Sequence, residues 1–77
     1  MIANILLTNF VGDPDSIRVS IVASLSQLGV SLSISKMAME RWIATREFKL
    51  DAVPEDTAVK IASLALKLGF ERIQISR

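Results

Sequence analysis

The densest run of reactive side chains in the sequence is Val11-Gly12-Asp13-Pro14-Asp15-Ser16. Backbone amides at a helix start attract anions, and Gly12 would let one approach closely. Asp13 and Asp15 oppose a phosphate there by charge. As a pair they could hold a hard cation, although calcium takes roughly six to eight oxygens. Capping and the helix dipole account for both acids without any ligand. Gly12, Asp13, Asp15 and Ser16 are therefore a candidate ligand loop, suited to a small metabolite held between subunits. The chain contains no Cys and no His. Disulfides, thiolate nucleophiles, the common zinc and copper ligand sets and imidazole acid–base chemistry are thereby excluded. No arrangement of the remaining groups makes a catalytic constellation. The expectation is a non-enzymatic protein with no cofactor and no metal.

A second concentration, Met37, Met39 and Trp42 with Lys36, Arg41 and Arg46, has the softness of a contact surface. Exposed, these side chains would form an adaptable patch for a protein partner. Buried, they fill a core. The elements that position them follow from an internal repeat. Shifting the chain by 40 residues superposes Pro14 to Val30 on Pro54 to Phe70, matching Pro14/Pro54, Asp15/Glu55, Val19/Val59, Ile21/Ile61, Leu28/Leu68 and Gly29/Gly69. Each copy has a Pro suited to a first helical turn, acids beside it and a Gly after the last apolar position. Helices are predicted at 14–28 and 54–68. In the first, Ile17, Ile21, Leu25 and Leu28 form one stripe. In the second, Val59 and Leu66 remain outside the matching stripe, one above the other on a flank. Val19, Val59 and Leu66 join Met37, Met39 and Trp42 as possible interface residues.

After each Gly the period changes to two. Val30, Leu32 and Ile34 alternate with Ser31, Ser33 and Ser35, and Ile73 and Ile75 with Arg72, Gln74 and Ser76. Both segments read as half-buried strands. Ile2 to Val11 reads as another strand, and Arg41 to Leu50, with Trp, Ile, Thr and Phe, as the fourth. The link from Lys36 to Glu40 contains no Gly, Pro, Asn or Asp. The order predicts an α+β, ferredoxin-like βαββαβ fold: a four-stranded antiparallel sheet with two helices on one face, in one domain of two half-repeats, about 1–36 and 41–77. Its open face would show Ser31, Ser33, Ser35, Thr45, Glu47, Lys49, Arg72, Gln74 and Ser76. The competing reading is all-helical, with 34–48 as a helix and Leu28-Gly29-Val30-Ser31 as the bend of a nucleic-acid-binding helix-turn-helix.

The string Gly12-Asp13-Pro14-Asp15-Ser16-Ile17-Arg18, with Ile21, Leu25, Leu28-Gly29-Val30 and Leu68-Gly69-Phe70-Glu71, resembles a heavy-metal-associated domain across nearly the whole chain. Asp15 and Arg18 stand where that family places its two metal-binding cysteines, so the resemblance implies the fold and not the soft-metal cargo. Leu28-Gly29-Val30-Ser31-Leu32-Ser33-Ile34 is similar to the regulatory ACT domains. That likeness implies pairing through helices and strand edges, with amino acids held at the interface. Nine basic against eight acidic residues give a net charge of +1, whereas nucleic-acid binders carry a basic excess. No stretch approaches the roughly 20 apolar residues of a membrane helix, and the first ten residues lack the basic lead of a signal peptide. These features predict a cytoplasmic regulatory or interaction module that self-associates or docks on a protein partner, without nucleic acid or membrane.

Overall fold

The computed structural model describes residues 1–77, the side chain of Pro14 excepted. Six elements follow one another: β1 (Ile2–Phe10), α1 (Pro14–Gln27), α2 (Leu32–Thr45), β2 (Phe48–Pro54), α3 (Glu55–Leu68) and β3 (Phe70–Ser76). The predicted four-stranded ferredoxin-like sheet is not formed. One antiparallel sheet of three strands, in the order β2-β1-β3, carries three helices, so the α+β class holds and the βαββαβ order does not.

The difference lies in residues 31–49. Read at period two beyond Lys36, a strand would bury either Arg41 with Met37, Met39 and Ile43, or Lys36 and Glu40 with Ala38 and Trp42. Burying an unpaired charge costs far more than either set of apolar neighbours returns. Read at period 3.6, Ser35, Ala38, Met39 and Trp42 share one buried stripe and every charge stays outside. Ser31 starts this helix as its N-cap, its hydroxyl accepting from the Ile34 amide at 3.3 Å. The three serines placed on an edge strand thus become cap, exposed helical residue and core residue. Thr45 and Glu47 leave the sheet; Lys49 stays in it. The competing reading is right that a helix runs through this segment, though it ends at Thr45, and wrong about the class, because β1, β2 and β3 form a sheet.

Both predicted helices are present with nearly the predicted bounds. Asp13 caps α1, accepting from the Asp15 amide at 3.0 Å. Gly69 ends α3 at φ 119, a conformation that a side chain would strain. The half-repeats then diverge: Gly29 leads into α2 and Gly69 into β3.

Ala3, Ile5 and Leu7 of β1, with Phe48, Leu50 and Val53 of β2, face the helices. The inward parity of β2 changes after Leu50 because Ala52, at φ 57, makes a bulge against Asn4, whose side-chain oxygen accepts from the Ala52 amide at 3.0 Å. Ile17, Ile21 and Leu25 of α1 and Ala58, Ile61 and Ala65 of α3 complete one core. Asn9, at φ 57, turns the end of β1 so that the Phe10 ring meets Trp42 edge-on at 5.6 Å and Phe70 at 5.0 Å.

Candidate interaction surface

The proposed ligand loop is occupied by its own capping. Besides the Asp15 amide, Asp13 accepts from the Ser16 hydroxyl at 3.1 Å, so both of its oxygens are engaged. A Cβ on Gly12 would lie 2.6 Å from the Phe10 ring, which explains the glycine by close packing. Among the described residues no group of three or more Asp or Glu could hold a metal.

The Met–Trp group is divided by helical geometry. Residues two apart on a helix point about 200° from one another. Met39 and Trp42 accordingly enter the core, 8% and 2% exposed, while Met37 stands 69% exposed. Arg46 closes α2 in the left-handed conformation and lays its guanidinium 4.8 Å above the Trp42 ring. Met37, Ile34 and Arg41 line a shallow groove beside β2 with Lys49, Leu50 and Asp51. The outward side of α2 mixes Leu32, Met37 and Ile43 with Lys36, Glu40 and Arg41.

Val19 lies on the outside of α1, opposite the Ile17–Ile21–Leu25 stripe. It is not brought together with the Met–Trp group. Val59 and Leu66 are different, because they share a flank of α3 and are 56% and 62% exposed. Glu55, Val59, Ala62 and Leu66 fall within about 60° of one another around the helix. Glu55 is bonded by Arg77, which follows β3, so this flank is the one turned toward β3. Along β3, Ile73 pairs with Leu7 and Ile75 with Ile5, placing both isoleucines on the helix side of the sheet. Ile73 is half-buried and Ile75 is 42% exposed. A flank of α3 and the free margin of β3 therefore form one continuous, partly apolar surface. The sequence reading found the α3 half by elimination and read Ile73 and Ile75 as the buried side of an edge strand, leaving them out of the possible interface residues.

No family model, no curated protein and no solved structure matches this chain. No helix is long and apolar enough to cross a membrane.

Proposed function

We propose that this chain is a non-enzymatic interaction module of regulatory type, acting in the cytoplasm by self-association or by docking on a protein partner through the α3 flank. The observation that supports it is the pair Val59 and Leu66, more than half exposed on a helix that buries Ala58, Ile61 and Ala65 and packs Ala62 and Leu68 against the core. Covering what remains exposed of each side chain is worth roughly 1–2 kcal/mol, a contribution to a reversible contact rather than the whole of it. The double variant Val59→Lys/Leu66→Lys should keep its far-UV circular dichroism and lose association at least tenfold in sedimentation velocity. An unchanged distribution of mass would remove α3 from the reading.

A further inference from the structure

We infer that the cavity between the end of β1 and the turn joining α2 to β2 takes a small zwitterion with an apolar body, its carboxylate toward Arg46 and its ammonium toward Glu47. The cavity measures about 420 Å³ and shares no lining residue with the α3 flank, so the inference goes beyond the docking role of that surface. Ligand pockets run from roughly 300 to 1,000 Å³. Thr8, Asn9 and Phe10 of β1 border it on one side, and Trp42, Arg46 and Glu47 on the other. Asn9, Arg46 and Ala52 are the non-glycine residues with left-handed backbone, and two of the three lie at this cavity. A Cβ makes that conformation costly, and such strain gathers where a side chain must be held for a purpose. The bulge of β2 accounts for Ala52. Arg46 stands at a helix end where glycine is the usual occupant. Glycine would relieve the backbone there and leave no guanidinium at the cavity.

The turn fixes both of its charged residues. The Arg46 amide donates to the Trp42 carbonyl at 2.7 Å, and the guanidinium rests over the indole ring. The Thr45 hydroxyl donates to the Arg41 carbonyl at 2.8 Å and accepts from the Glu47 amide at 3.2 Å. Arg46 and Glu47 are consecutive, yet they do not bridge each other, and neither forms a salt bridge elsewhere among the described residues. Glu47 is half-buried, and a partly desolvated carboxylate without a counter-charge is costly. An anion alone would gain from Arg46 and lose to Glu47, and a cation alone the reverse. A molecule that carries both groups gains at both ends. The unpaired carbonyls at the end of α2 add to the pull on its ammonium. The Phe10 and Trp42 rings offer an apolar wall for its body, and Thr8 and Asn9 add a hydroxyl and an amide for hydrogen bonding.

The test uses the full chain and free leucine, which carries both charges on an apolar body and leaves Trp42, the single tryptophan, as the reporter at the cavity wall. Leucine should change Trp42 emission saturably, with a Kd of about 1 mM or below. In NMR spectra it should shift the amides of Thr8, Asn9, Arg46 and Glu47 rather than those of α1 and α3. Isocaproate, which lacks the ammonium, and isoamylamine, which lacks the carboxylate, should each bind at least about tenfold more weakly. Glu47→Gln should weaken leucine about tenfold and leave isocaproate no weaker. Arg46→Gly, which suits the left-handed turn, should keep the far-UV circular dichroism, weaken leucine to a similar degree and leave isoamylamine no weaker. No saturable response to leucine, or resonance shifts that fall elsewhere, overturns the inference. So does either half-molecule binding as tightly as leucine, or leucine binding that Glu47→Gln leaves unchanged.

Discussion

Ser35 is 1% exposed, and its hydroxyl has no hydrogen-bond partner among the described residues. A buried hydroxyl without a partner costs stability, and alanine is also the better helix former. Ser35→Ala should therefore raise stability by about 1 kcal/mol, seen in urea unfolding and as a higher Tm. A loss of stability would mean that the hydroxyl is satisfied in solution. Local chemistry of this kind was the most legible part of the sequence. Asp13 and Gly69 announce the start of α1 and the end of α3 because a cap oxygen and a left-handed stop depend only on their immediate neighbours. Met37 and Met39 were not separable in that way. Which of them meets the core depends on the period of the element that carries both.

That element, α2, is where sequence and structure part. Val30 to Ser35 alternates well enough for a strand over six residues, and the three serines conceal a cap, an exposed position and a core position. The correct signal stood further on. Lys36-Met37-Ala38-Met39-Glu40-Arg41 are all strong helix formers, and the same stretch lacks the residues a hairpin needs. The missing turn was the helix. The fourth predicted strand suffered in consequence: its first five residues belong to α2, and β2 starts later and runs on to Pro54. If the Ser31 cap helps to decide the outcome, Ser31→Ala should cost about 1 kcal/mol in urea unfolding, whereas Ser33→Ala, exposed on the first turn, should stay within about 0.5 kcal/mol. Equal effects would place the decision in burial alone. The α3 flank was readable because Val59 and Leu66 fall outside a stripe already filled. The C-terminal strand was readable as an edge from the predicted strand order, but Ile73 and Ile75 read as its buried side, and how far α3 leaves them uncovered is a matter of tertiary packing.

All six elements contribute to a single apolar cluster, with Trp42 of α2 meeting Phe10 of β1 and, through Phe70, reaching Phe48 of β2. A core so shared should fail as a unit. Trp42 fluorescence and far-UV circular dichroism should give coincident urea transitions with one midpoint and a slope of about 1 kcal/mol/M. Separate midpoints would show that α1 or α2 melts before the sheet. The two margins of that sheet differ, one spoiled by the left-handed Ala52 and by Pro54, the other paired without a register shift. A molecule adhesive on both sides would recruit copies without end and grow into fibres. With one margin spoiled, strand addition at the other would have nowhere to continue.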